Sequence, residues 1–415
     1  MKADVRLDHQ LLAVEGEHDV HAMLEITVPQ GDVTERAPLH LALVIDRSGS
    51  MGGGRLDAAK DAARYLAQRL QPTDQLAVVA YENQVELVRA LGPIADSSLL
   101  EAQINAIQTG GNTNLSGGWL KGIEEVGRAT GEGIRRVLLL TDGHANVGIV
   151  EPSALVDIAK GSKSQCSTTT IGFGEGFDED LLATIADAAD GATYYAETVE
   201  DAPGIFTEEF DGLASIMAQN LSVEIRPTDD VKVLGVLNDY PIVDVPGGMQ
   251  LQIGDVFGGE TRRIILQLHI PQVAALGVAR VCDLVVRYVT TQAPIAQHEL
   301  IVPVTVNLVS ADEAAAAGAD HEVTEHVTLL TAARARRDAR DAADRGDYGT
   351  ARSIIQCAAT SLRMAAPCAA IGDELLAEAE ALEMHAAAME ADVYDATTSK
   401  RLHNEARRSS RGRKP

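Results

Sequence analysis

The sequence predicts an α/β fold: a doubly wound, mostly parallel sheet inserted in an antiparallel β-sandwich, followed by a C-terminal α-helical bundle. Three observations predict it. Between residues 39 and 219, short apolar runs alternate with amphipathic stretches, the pattern of a parallel sheet covered by helices on both faces. Period-two segments broken by Gly and Pro flank that region on both sides, as antiparallel strands do. Beyond residue 310 the composition turns to Ala, Glu and Arg, with apolar positions three and four apart, the spacing of packed helices.

The elements follow in order. Residues 1–38 alternate loosely through Val5 and Leu7, then Leu11, Leu12 and Val14, then Val20, Met23, Leu24, Ile26 and Val28. Two or three strands are expected there, completing the sandwich, with a polar connector from Gly31 to Ala37. In the 39–219 unit, LALVI (41–45) is a strand buried on both faces, and Leu56, Ala59, Ala63, Leu66 and Leu70 stripe a helix that Pro72 stops. Strands at 76–81, 85–88, 137–141, 167–173 and 192–196 follow, with helices at 98–107, 115–129, 153–162, 179–189 and 203–219. Residues 220–310 carry the alternating segments of the sandwich. Residues 311–405 read as helices over 324–345, 348–365 and 373–391, the last extending toward Glu405, with breaks at Gly346 and Pro367. The basic stretch 406–415 reads as a disordered, solvated tail.

Composition removes several functions. A chain of 415 residues is too long for one core and needs two or three domains. A formal charge of −26 repels a phosphate backbone, so no nucleic-acid partner is expected. The opening MKADVRLDHQ has no basic or apolar leader, and runs such as Leu41–Ile45 are too short for a membrane span. Cys166, Cys282, Cys357 and Cys368 are scattered without metal or redox spacing, which suits free thiols in a reducing compartment. The expected location is cytoplasmic.

Three separated pieces carry the chemistry. Asp46-Arg47-Ser48-Gly49-Ser50 follows one buried strand, Asn112-Thr113-Asn114 lies in a Gly-rich turn before a helix, and Thr141-Asp142-Gly143 ends another strand. Strand C-terminal ends gather at one edge of a doubly wound sheet, where ligands bind. Carboxylate and hydroxyl oxygens are hard donors, suited to Mg²⁺, Mn²⁺ or Ca²⁺ rather than zinc. Each residue alone also fits a helix cap or turn; five in order fit a cation site better. His144 and Asn146 share the rim, and Trp119 is expected in the core.

Asp46-x-Ser48-x-Ser50, with Thr113 and Asp142 in order, resembles the metal-ion-dependent adhesion site of von Willebrand factor A domains. The resemblance covers residues 39–219. It implies metal ligands at Asp46, Ser48, Ser50, Thr113 and Asp142, with Ser48 and Ser50 coordinating directly and the others directly or through water. It implies Mg²⁺ as the occupant, Mn²⁺ or Ca²⁺ as alternatives, and an open position filled by an Asp or Glu of a partner protein. The whole order of segments is similar to bacterial chloride-channel-like von Willebrand A proteins, which implies partners such as MoxR-type AAA+ ATPases or kinase and phosphatase systems. The expected role is a scaffold; self-assembly into a homo-oligomer through the same site is the alternative. A metal-dependent phosphohydrolase is disfavoured, because no second carboxylate cluster, Walker loop or nucleophile motif accompanies the site.

Overall fold

The computed structural model describes residues 1–30, 36–272, 275–291, 295–390 and 392–411. Three strands come first: β1 (Lys2–Leu7), β2 (Leu11–Ala13) and β3 (His18–Thr27). The α/β unit then runs β4 (Leu39–Asp46), α1 (Arg55–Arg69), β5 (Gln75–Tyr81), β6 (Val85–Gly92), α2 (Ser97–Asn105), α3 (Leu115–Gly127) and β7 (Ile134–Thr141). It closes with α4 (Pro152–Ser162), β8 (Ser167–Phe173), α5 (Glu179–Ala188), β9 (Thr193–Ala196) and α6 (Ala202–Ala214). Its sheet order is β6-β5-β4-β7-β8-β9, parallel except for the edge strand β6. Every residue of β4 is buried, because helices cover both faces: Leu56, Leu100 and Phe206 on one, Trp119, Leu155 and Leu182 on the other. From β4 the chain first winds toward β5 and later returns to β7 on the opposite side. The C-terminal ends of β4 and β7 therefore flank the crevice where the winding reverses.

The sandwich strands are β10 (Ile216–Pro227), β11 (Lys232–Val236), β12 (Ile242–Val245), β13 (Gly248–Phe257), β14 (Thr261–Ile270), β15 (Gly277–Thr290) and β16 (Gln297–Val309). One sheet has the order β1-β3-β14-β11 and the other β12-β13-β10-β15-β16-β2. The N-terminal strands thus contribute to both sheets, and the α/β unit is an insertion between them. Its exit differs from expectation. The last helix stops at Ala214 rather than Gln219, and Ile216–Asn220 already belong to a strand whose residues pair with Phe257 and Thr290. Tertiary pairing overrides the local helical pattern there.

The C-terminal region holds α7 (Ala311–Ala316), α8 (His321–Asp344), α9 (Tyr348–Ala365), α10 (Gly372–Ala388) and α11 (Ala396–Ser410). Helix α7 lies beyond the sequence expectation; Ser310 and Glu313 start it with a capping box. Nor does one helix run from Asp373 toward Glu405: the chain breaks after Ala388 and restarts with Asp395 capping α11. Residues 406–410, expected in a disordered tail, are helical, and the half-buried Arg411 pairs with Asp187. The basic segment is held by acids of its own chain. Residues 412–415 of that expectation, and 31–35 of the polar connector, lie outside the described residues. Val323 and Leu330 of α8 pack on Met23, Leu237 and Ile265 of the sandwich. All four cysteines are free, Cys166 and Cys282 buried, Cys357 and Cys368 exposed. Among the described residues no helix is long and apolar enough to cross a membrane.

Candidate metal centre

The site begins where β4 runs out of sheet. Asp46 ends that strand fully buried, and Arg47 N still donates to Tyr81 O at 2.9 Å, so the loop leaves in a fixed direction. Asp46 Oδ1 accepts from Ser48 N at 2.8 Å, and Oδ2 accepts from Thr141 Oγ1 at 2.8 Å. A single 3₁₀ turn over Gly49–Met51, anchored by the buried Met51, brings Ser50 back toward β7. The Ser48 and Ser50 hydroxyls lie 3.0 Å apart, and Ser50 Oγ donates to Asp142 Oδ1 at 2.7 Å.

The Gly-rich turn is stitched to this loop by backbone: Gly110 N donates to Arg47 O at 2.8 Å and Gly49 N to Gly111 O at 3.2 Å. Asn114 then caps α3 through Gly117 N at 3.0 Å, which leaves the preceding Thr113 at the rim, nearly buried. Asn146 fixes it to the third loop, taking a bond from Thr113 N at 2.8 Å and giving one from its own N to Thr113 O at 3.0 Å. A methyl group at Gly143 would lie 3.5 Å from Ser50 Oγ and 3.6 Å from Thr113 Oγ1. The structure therefore brings all five expected residues to one place.

Electrostatics set this place apart from the rest of the sheet edge, because two carboxyl groups are buried together there. Asp46 and Asp142 are both buried. Burial pushes the Asp46 carboxyl up to about 6, with the Asp142 charge adding to the rise and the bonds from Ser48 and Thr141 opposing it. Arg55 Nη1 donates to Asp142 Oδ2 at 2.9 Å, offsetting one of the two charges. The set offers two carboxylates and three hydroxyls, an all-oxygen shell that fits a hard dication such as Mg²⁺. Among the described residues no group of three or more His, Cys, Asp or Glu is placed to hold a metal, so this hydroxyl-rich set is what the fold offers.

Sequence reasoning missed three supporting contacts: Thr141 on Asp46, Asn146 on Thr113, and Arg55 on Asp142. Arg55 and Asn146 stand out in the sequence as polar residues near the motifs, but their partners are distant along the chain. Trp119 is fully buried, with Nε1 donating to Thr168 Oγ1 at 3.1 Å, a core role as expected. His144 is exposed and lines an open cleft of about 530 Å³ shared with Tyr348, Tyr394 and Lys400 of the helical region. Helix α11 reaches the loops after β8 and β9: Lys400 Nζ donates to Phe177 O at 2.6 Å, and Arg401 pairs with Glu197 at 2.8 Å.

Fold and site define a class: a doubly wound α/β domain with a cluster of carboxylate and hydroxyl oxygens at the edge of its sheet. Residues 40–208 match the model of the von Willebrand factor type A domain, and the chain carries that domain. Domains of this family commonly mediate protein–protein interaction and typically bind a divalent metal at a metal-ion-dependent adhesion site. The chain is 25% identical over 258 residues to the uncharacterized protein sll0103 of Synechocystis sp., covering 60% of this chain and 61% of that one. The match thus spans less than two thirds of that relative. Among solved structures it is similar to a von Willebrand factor type A protein from Catenulispora acidiphila, with TM-score 0.72, 17% identity and coverage of 97% and 96% of the two chains. It is also similar to the ArnB paralog VWA2 of Sulfolobus acidocaldarius, with TM-score 0.62, 16% identity and coverage of 99% and 98%. At these identities the likeness is one of fold, and it extends over the sandwich and helices as well as the inserted domain.

Proposed function

We propose that this protein is a metal-dependent binding scaffold in which Asp46, Ser48, Ser50, Thr113 and Asp142 hold a Mg²⁺ ion and a partner's Asp or Glu completes its shell. The observation that carries the reading is the convergence of these five oxygen-bearing side chains, from three loops, on a site with only two carboxylates. When bound, the dication acts as a Lewis acid that still accepts an anionic ligand. The chain's own residues do the rest: Thr141 and the Ser48 amide orient Asp46, Asn146 orients Thr113, and Ser50 orients Asp142. The cleft beside His144 supports a partner that touches the helical region as well as the metal. Resemblance makes MoxR-type AAA+ ATPases the first partners to try.

The test is capture from lysate on three matrices: wild type in Mg²⁺, wild type in EDTA, and Asp142→Ala in Mg²⁺. A protein retained by the first alone is the expected result. Equal retention on all three would show that binding does not pass through the metal.

A further inference from the structure

Arg55 gives the centre an asymmetry that the five ligands lack. It opens α1 directly after Gly52, Gly53 and Gly54, and the last two have φ of 75° and 100°. That left-handed pair turns the chain so that the first helical side chain reaches back to the site. Arg55 Nη1 donates to Asp142 Oδ2 at 2.9 Å and to Ser50 O at 3.2 Å. Its guanidinium lies against Gly174, where a Cβ would come within 2.6 Å of Nη2. The side chain is 35% exposed. Among the described residues its Nε and Nη2 make no hydrogen bond, so donors remain free at the rim of the site.

Charge counting gives the consequence. Two carboxylates alone would neutralise a dication's net charge and leave only its open coordination position to attract a third. With the Arg55 guanidinium on Asp142, the loaded site keeps a net positive charge and carries spare N–H donors for a carboxylate. The same cation repels the metal and attracts the acid.

We propose that Arg55 exchanges metal affinity for acid affinity, weakening the site's hold on its dication and strengthening its hold on the partner's carboxylate. This rests on the metal-bridged reading above. Metal and acid then bind cooperatively, because each helps satisfy what the other leaves unbalanced, and the coupling is reciprocal.

The experiment uses the full chain, Mn²⁺ as the metal and acetate as the carboxylate probe, with Mn²⁺ affinity measured in chloride and in acetate at equal ionic strength. Wild type, Arg55→Gln, Arg55→Lys and Asp142→Ala are compared. Arg55→Gln should bind Mn²⁺ about tenfold more tightly than wild type in chloride. Acetate should tighten Mn²⁺ binding in wild type and in Arg55→Lys by a larger factor than in Arg55→Gln, where only the metal itself attracts the carboxylate. Mn²⁺ binding by Arg55→Gln no tighter than wild type, or an equal acetate effect in both, overturns the role of Arg55. Unchanged Mn²⁺ affinity in Asp142→Ala removes the metal-bridged reading itself, and the role of Arg55 with it. The acetate effect is measured in the unmodified chain, so a variant that does not fold leaves it in force; its absence there overturns the proposal.

Discussion

Asp46 shows what it costs to bury a carboxylate at the candidate site. Its carboxyl is pushed up to about 6 from an ordinary 3.8, because β4 buries it before any cation arrives. Between those values the native state holds a proton that the unfolded state has released. The metal-free fold therefore loses stability as pH rises from about 4 to about 6, and the loss persists above that. At roughly 1.4 kcal/mol for each tenfold change in proton affinity, it reaches about 2–3 kcal/mol by neutral pH. Asp46→Asn removes the charge and keeps an acceptor for Ser48 N, while the Thr141 hydroxyl can turn to Gly143 O, 3.2 Å away. The variant should melt above wild type in EDTA at pH 7 and below it in saturating Mg²⁺. Melting in the same order under both conditions would sink this account. That Asp46, Ser48, Ser50, Thr113 and Asp142 share one sheet edge was legible in the sequence because each follows a strand end or precedes a helix. The Arg55–Asp142 pair, 87 residues apart, had no such local signature.

The same distinction holds for elements. Helices α8, α9 and α10 show in the sequence because their inward faces are apolar, with Ile355, Ala359 and Leu362 at helical spacing on α9. Helix α11 does not, because much of its buried face is ionic: Lys400 on Glu179, and Arg407 on Asp187 at 2.8 Å. A hydrophobic period cannot register a face made of charges that meet acids on another domain. His403 sits in that seam, its Nδ1 2.8 Å from Arg340 Nη1, from which it accepts, with Asp180 Oδ1 3.2 Å away on the other side. Burial, with Arg407 and Arg340 nearby, brings its pKa down to about 4 from 6.5. The unfolded chain takes up this proton first, so the contribution is complete above about 6.5 and is lost as pH falls toward 4. The full loss amounts to about 3–4 kcal/mol. Acidification from pH 7 to 5 should therefore speed proteolytic cleavage within 396–410 in wild type, and much less in His403→Gln. Equal cleavage at both pH values in wild type would refute the coupling.

For the whole molecule, the insertion was legible from the switch of period at each end of the α/β unit, but the way that unit seats on the sandwich was not. The seat is ionic and buried. Arg136 of β7 meets Asp255 of β13 and donates to Thr169 Oγ1 at 3.1 Å, while Thr169 donates to Glu209 at 2.6 Å. Arg411 closes the same region from the C-terminal side, with Nε donating to Asp239 O at 2.9 Å and Nη1 pairing with Asp187 at 2.8 Å. An apolar seam would let the domain slide; charges taken out of water hold one arrangement, because any displacement leaves them unpaired. The sheet edge that carries Asp46 and Asp142 is thereby kept at one angle to the helices beside His144. Arg136→Met strands Asp255 and should destabilise the chain by about 3–5 kcal/mol in urea unfolding, whereas Arg136→Met with Asp255→Leu should recover most of that. If the double variant is as unstable as the sum of the singles, the pair is not what seats the domain. If it recovers stability but metal-dependent capture falls, the pair serves orientation more than stability, and the angle of the metal edge is itself part of partner recognition.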